Sequence, residues 1–211
     1  MDISVVVTAL NHEPTVIESL ESILSQTRLP DEIGLALGPS RDETEGMTDF
    51  YEDELDFVHR DRRPNAGKCG HMHLRLGSLA SVSTEYVLFL RGDSYLRRRA
   101  IQRITDRARD GDVLLSPAQF TGGLSDDQRL NPPRSWTPED ILEAGPLPPG
   151  SVVWPREQIA TSFSDFQRLE LGPFSTMGWL LLLQERGLEA TMLDEPAVEM
   201  WDAREGASCW T

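Results

Sequence analysis

The chain has 211 residues, of which 39% are hydrophobic, and it carries a formal net charge of −15 at neutral pH. This length suits one globular domain with a sizeable core. The acidic charge argues against nucleic acid or an anionic membrane as a partner, because both would be repelled. Lys68 is the one lysine among 20 basic residues, which indicates either a GC-rich genome or a high-salt habitat.

No apolar run reaches the length of about 18 residues that a membrane-spanning helix needs. The opening MDISVVVTAL also lacks the basic start and the cleavage site of a secretory signal. We therefore expect a cytoplasmic protein without a transmembrane segment. Cys69 and Cys209 are too few for a disulfide framework and too far apart for a zinc knuckle, so we interpret them as free thiols.

The first predicted element is a strand at residues 3–8, because ISVVVT is an uncharged β-branched run typical of the interior of a parallel sheet. A helix follows from Pro14, with apolar residues at helical spacing until Leu29 and Pro30, where it ends. In chain order, the sequence then predicts a strand at 32–37, a short acidic helix at 44–51, a strand at 55–59, a helix at 71–80, a strand at 86–90, a helix at 97–109 and a strand at 112–116.

Residues 117–150 differ from the rest, because they contain seven prolines and only one helix signal, with Thr137 as the cap and Pro138 at the first position. Such a long irregular stretch is typical of a lid or an acceptor-binding loop. Beyond it, the sequence predicts a strand at 151–154, a helix at 174–186, and strands at 190–193 and 198–201. The tryptophans inside these elements are interpreted as core residues: Trp154, Trp179 and Trp201.

Strands that alternate with helices predict an α/β fold, with a mostly parallel central sheet and helices on both faces. Ligands of such sheets bind beyond the carboxyl ends of the strands, so the turns after strands one, two and four are the places to examine. The first of these turns, TALNHEP, has no glycine. This excludes the Gly-x-Gly-x-x-Gly site of dinucleotide-binding oxidoreductases.

The order of these segments resembles the family 2 glycosyltransferases, which have the GT-A (nucleotide-diphospho-sugar transferase-like) fold. The segment ISVVVTALNHEPTVIESLESILSQT is similar to that family's opening strand, Asn-containing turn and first helix. NAGKCGHMHLRLGSLASVSTEYVLFLRGDS is similar to its Gly-rich loop, helix and metal-site strand, while SVVWPREQI and LLLLQERGLEATMLDEPAVEMW resemble its later elements. The resemblance implies one domain over residues 1–211, with a nucleotide-binding half at 1–116 and an acceptor-side half at 117–211.

The resemblance also implies a hexosyl or related transferase, which moves a sugar from a nucleotide-sugar donor to an acceptor hydroxyl or amine with inversion. This chemistry requires a cradle for the nucleoside, a cation against the departing diphosphate, and a carboxylate that takes the acceptor's proton.

For the nucleoside cradle, Asn11 and Glu13 stand where relatives contact the nucleotide. Leu37 and Gly38 replace the acidic pair that follows strand two in relatives, although Asp42 stands four positions later.

In the Gly-rich loop, Gly67 and Lys68 stand where relatives approach the nucleotide, and a plain loop is the competing interpretation. His71 and His73 point to different faces of the next helix, so we expect one at the donor cleft and one in solvent.

For the cation, relatives carry Asp-x-Asp at the end of strand four, whereas this chain has Arg91, Gly92 and Asp93. Asp93 could hold Mg²⁺ or Mn²⁺ together with the diphosphate oxygens. Alternatively, Arg91 with Arg97 or Lys68 replaces the metal and makes the enzyme metal-independent. The third interpretation is a solvated Arg91 in a protein that binds no metal.

For the catalytic base, relatives place Glu-Asp at the start of the closing helix, where this chain has Ser175 and Thr176. Asp165 and Glu170 on the preceding loop are the candidate substitutes, and solvated loop carboxylates are the competing interpretation. Two functions follow: an active glycosyltransferase with an altered site, or a catalytically inactive GT-A relative that serves as a binding or scaffold module.

Overall fold

The computed structural model describes residues 1–62, 70–109, 111–121, 129–145, 147–162 and 175–201. Its strands, in chain order, are β1 (Ile3–Ala9), β2 (Glu32–Leu37), β3 (Phe57–Arg60), β4 (Tyr86–Arg91), β5 (Ser94–Leu96), β6 (Val113–Leu115), β7 (Ala118–Thr121), β8 (Arg129–Leu130), β9 (Val152–Pro155), β10 (Ala190–Met192) and β11 (Val198–Trp201). Its α-helices are α1 (Val16–Leu24), α2 (Thr44–Thr48), α3 (Gly70–Ser78), α4 (Ala100–Arg107), α5 (Pro138–Ala144), α6 (Arg156–Thr161) and α7 (Ser175–Glu185).

The central sheet has seven strands in the order β10-β6-β9-β4-β1-β2-β3. Strand β9 runs antiparallel to both of its neighbours, and the other pairs are parallel. Every residue of β1 is buried, because the strand lies between β2 and β4 with helices on either side. The predicted mainly parallel α/β sheet is therefore confirmed.

Alternate residues of β1 enter two separate apolar cores. Val5 and Val7 pack with the apolar faces of α1 and α4 on one side of the sheet, whereas Val6 packs with α3 and α7 on the other. In the second core, the rings of Trp154 and Trp179 meet edge-on with their centroids 5.0 Å apart. The core positions expected for these two tryptophans are confirmed, and so are helices on both faces.

A smaller sheet joins four short strands in the order β5-β11-β7-β8. The interpretation of residues 117–150 as a stretch with one helix and no strand was therefore wrong in part, since β7 and β8 lie inside it. These strands are too short to show alternation, and β7 forms by pairing with the distant β11. The predicted helix start is correct, because Thr137 Oγ1 accepts a hydrogen bond from the Asp140 amide at 3.3 Å.

The predicted helix at 97–109 is shorter in the structure, where α4 begins at Ala100. The backbone amide of Arg97 instead donates to the carbonyl of Ala197 at 2.9 Å, which ties this segment to the residue before β11. Within the described part of the chain, no helix has both the length and the apolar composition that a membrane crossing requires.

Candidate functional site

The carboxyl ends of β1, β2 and β4 lie side by side, because β1 is the middle strand of the three. The turn after β1 and the loop after β2 are joined through Asn11. Its backbone amide donates to Ser40 Oγ at 3.1 Å, while its side-chain Oδ1 accepts from the Arg41 amide at 2.8 Å. Asn11 has a φ of 56°, a left-handed conformation that asparagine adopts more readily than most residues.

Asp42 and Glu13 connect the same two segments, the turn after β1 and the loop after β2. The Glu13 amide donates to Asp42 Oδ2 at 3.1 Å, and the Glu43 amide donates to Glu13 Oε2 at 3.1 Å. Asp42 Oδ1 accepts from the Thr44 amide and hydroxyl. Burial acts to raise the pKa of Asp42, but these hydrogen bonds outweigh it and lower the pKa. The structure thus brings Asn11, Glu13 and Asp42 together as one rigid wall.

At the end of β4, Arg91 and Asp93 bind each other directly. The Arg91 guanidinium donates to the Asp93 carboxylate, and only 11% and 17% of these side chains are exposed. The backbone between them is fixed, because the Gly92 amide donates to the Thr8 carbonyl at 3.0 Å. Thr15, just before α1, donates its hydroxyl to the Gly92 carbonyl at 2.7 Å.

His12 lies against this turn and is buried. A Cβ at Gly92 would stand 2.9 Å from His12 Nδ1, so a larger residue there would force the ring or the backbone to shift. Nδ1 accepts from the Leu10 amide at 3.1 Å, which leaves the proton on Nε2, 3.8 Å from Asp93 Oδ2. Burial lowers the pKa of His12 to about 4, although the Asp93 charge acts against it, so the imidazole is neutral at pH 7.

Two residues of α3 complete the cluster. The ring of His71 lies 5.4 Å from that of His12, and burial lowers the pKa of His71 well below its usual value. Arg75 is only 6% exposed, and burial together with the nearby charge of Arg91 lowers its pKa to about 9.

Arg75 and His12 were not predicted from the sequence. Arg75 stands three residues after Met72 and four before Leu79, both buried, so its place on the apolar face of the helix was the available signal. His12 gave no signal beyond its position between two selected residues.

The sequence also predicts five further site residues. Gly67, Lys68, Asp165 and Glu170 fall outside the described residues. Arg97 is held on the smaller sheet, with its Nε 2.6 Å from Glu199 Oε1 and a hydrogen bond of 2.6 Å to Gln119 Oε1.

The start of α7, where relatives are expected to place the base, has a buried Thr176 as its second residue. A hydroxyl is too weak a base to take a proton unaided.

The described side chains around Asp93 do not fit a divalent cation. Its carboxylate already binds Arg91, and the positive charges of Arg91 and Arg75 repel a metal ion. No three histidine, cysteine, aspartate or glutamate side chains within the described ranges are grouped as metal ligands. Mg²⁺ and Mn²⁺ require several oxygen ligands, which this set does not supply.

The chain belongs to glycosyl transferase family 2, whose family model matches residues 4–154. This range covers β1 to β9 and so includes the cluster at the end of β4. A comparison with curated proteins gives no match.

Two sets of solved structures share the fold. TarS residues 1–349 from S. aureus, solved with UDP-GlcNAc, superposes with a TM-score of 0.69 at 18% identity, covering 100% of this chain and 61% of that one. Glucosyl-3-phosphoglycerate synthase from Mycobacterium tuberculosis, solved with Mn²⁺, UDP and phosphoglyceric acid, superposes with a TM-score of 0.60 at 21% identity, covering 95% and 69%. The predicted GT-A fold is confirmed, and this chain spans about three fifths of the S. aureus structure.

Proposed function

We propose that this chain transfers a sugar from a nucleoside diphosphate sugar to an acceptor hydroxyl or amine, with inversion at the anomeric carbon. Membership of glycosyl transferase family 2 supports this assignment, and the two structural neighbours were solved with UDP-GlcNAc and with UDP. The observation that carries it is the rigid edge at β1, β2 and β4. There Asn11, Glu13 and Asp42 form one wall, and Arg91 with Asp93 stands beside it.

The wall is pre-organised because its side-chain oxygens are already held by backbone amides before any ligand arrives. Such rigidity reduces the entropy lost on binding. The exposed face of Asn11 and the half-buried Glu13 then border the space for the base and ribose. Arg91 supplies a fixed positive charge at the end of β4, where the diphosphate of a donor would lie.

In the reaction, an acceptor oxygen or nitrogen attacks the anomeric carbon from the side opposite the diphosphate. A new bond forms to the acceptor, the bond from the sugar to the diphosphate oxygen breaks, and its electron pair stays on the nucleoside diphosphate. The acceptor's proton passes to a carboxylate, for which Asp165 and Glu170 are the candidates of this chain.

The proposal is tested with the purified protein and a panel of UDP-, GDP- and dTDP-sugars, using release of nucleoside diphosphate as the readout. We expect turnover of one donor, and ¹H NMR should show that the anomeric configuration of the freed or transferred sugar is inverted. Arg91→Ala and Asp93→Ala should each abolish turnover. Arg156→Met is the matched control, because Arg156 donates to the Thr84 carbonyl at 2.8 Å at the opposite edge of the sheet.

A donor that binds in calorimetry without any turnover would overturn the transferase assignment and favour the inactive binding module. Absence of binding to every nucleotide sugar would overturn both. The acceptor is identified afterwards by adding candidate sugars and glycerate-type acids to the reaction with the active donor.

A further inference from the structure

Arg75 is a buried cation that has no counter-charge among the described residues. It is 6% exposed on the inner face of α3, which packs against β1 and β2. Nothing among the described residues accepts a hydrogen bond from its Nε, and none of their carboxylates forms an ion pair with it. A guanidinium stays protonated at neutral pH even when buried.

The surroundings of Arg75 add positive charge and little negative charge. Arg91 lies close enough to act electrostatically on Arg75, and the nearby Asp93 carboxylate is already bound to Arg91. His12 and His71 bring no negative charge in either of their ordinary protonation states. Among the described residues, Asp93 is thus bound to Arg91 and makes no ion pair with Arg75.

Such an arrangement is costly in the absence of a ligand, because a buried charge loses its hydration and gains no partner in exchange. It is favourable for an anion, because guanidinium groups bind phosphate oxygens with strong, charge-assisted hydrogen bonds. His71 Nδ1 also lacks a hydrogen-bond partner in the part of the chain that the structure describes. In its Nδ1–H tautomer it offers a further, neutral donor.

We propose that Arg75 and Arg91, with His71, form an anion site that binds the diphosphate of the donor in place of a divalent cation. This inference rests on the proposed function, since it takes the donor to be a nucleoside diphosphate sugar. It assigns a binding role to Arg75 and changes the role of Asp93, which orients the Arg91 guanidinium rather than holding a metal.

The site also has a role in the transfer step. When the bond between the sugar and the diphosphate breaks, the departing oxygen gains negative charge. Guanidiniums that are already buried at the site stabilise that charge with little reorganisation. The cluster lies at the carboxyl ends of β1 and β4, next to the Asn11 wall, so one donor could contact both.

The competing explanation is that Arg75 is a structural residue whose charge has no ligand. The two explanations differ in the effect of Arg75→Met, which keeps an unbranched side chain of similar length but removes the charge. An anion site predicts a loss of anion affinity while the free protein keeps or gains stability. A structural role predicts the same affinity as the wild type.

The test is isothermal titration calorimetry with inorganic diphosphate and with UDP, both in excess EDTA. We expect the wild type to bind both probes, and Arg75→Met to bind them about tenfold or more weakly, as expected for loss of a charged hydrogen bond. Arg75→Lys should bind with intermediate affinity, because it keeps the charge without the planar fork. Arg156→Met should bind like the wild type, and the melting temperature of each free variant shows whether it is folded.

Binding of the wild type that requires Mn²⁺, or equal affinity of a folded Arg75→Met, would overturn the anion site. If the donor is turned over only with Mn²⁺, the transferase function stands and the anion site fails. If inorganic diphosphate binds in EDTA through Arg75 but no nucleotide sugar is turned over, the anion site stands and the transferase function fails.

Discussion

Mild acid should destabilise this protein through His12, whose imidazole is neutral in the folded state. Burial lowers its pKa from 6.5 to about 4. Between about pH 4 and pH 6.5, the unfolded chain binds more protons than the folded one. The free energy of unfolding therefore falls as the pH drops below 6.5, and it levels off below about pH 4. With pKa values of 6.5 in the unfolded chain and about 4 in the folded protein, the free energy of unfolding should fall by about 2 kcal/mol between about pH 7.5 and about pH 5.

Urea unfolding of the wild type and of His12→Asn at these two pH values isolates the effect. Asparagine offers an oxygen near the position of Nδ1, which accepts from the Leu10 amide at 3.1 Å, but it does not titrate. The other titratable groups are present in both proteins, so the contribution that they share is removed in the difference. We expect the wild type to lose about 2 kcal/mol more than the variant on acidification. Equal losses would refute the argument, since they would mean that His12 takes up its proton without cost in the folded protein.

Three further substitutions and one control variant test the packing and the helix capping of the fold. Gly92→Ala places a methyl group 2.9 Å from the His12 ring and should lower the free energy of unfolding by roughly 1–3 kcal/mol. Gly46→Ala is the control, because its methyl group meets only a carboxylate oxygen at 3.3 Å, and it should leave the free energy of unfolding unchanged or slightly higher. Equal melting temperatures of the two variants would contradict the predicted clash at Gly92. Trp154→Ala empties a position that is 1% exposed and should cost roughly 3–5 kcal/mol in urea unfolding; a loss below about 1 kcal/mol would mean that the core closes around the gap. Thr137→Ala removes the cap of α5 and should cost about 1 kcal/mol, and an unchanged unfolding curve would show that water replaces the cap.

The central sheet was predictable because its strands carry their own signals. The run at residues 3–8 became β1, one residue longer, since an uncharged β-branched segment is stable only when both faces are covered. In the smaller sheet, β11 was predicted at residues 198–201. Strands β7 and β8 were not predictable, because they have four and two residues and gain their stability from pairing with other segments. The predicted helix at 97–109 is too long for the same reason, because the Arg97 amide donates to the carbonyl of the distant Ala197.

The candidate site was predictable in part. Asn11, Glu13 and Asp42 could be placed together because turns at the carboxyl ends of adjacent parallel strands share one edge. The hydrogen bonds between the two loops could not be predicted. Glu13 and Asp42 are joined through backbone amides, and the positions of these amides depend on the full path of both loops.

The sequence by itself determined the types and the order of the central elements, because local periodicity and turn residues act over a few positions. Only the tertiary structure decided what each arginine does. Arg91 binds Asp93 and Arg97 binds Glu199, while Arg75 is buried close to Arg91 without a carboxylate from the described residues. The three side chains are chemically the same, and their partners differ because long-range packing of α3, β4 and β11 sets which charges meet.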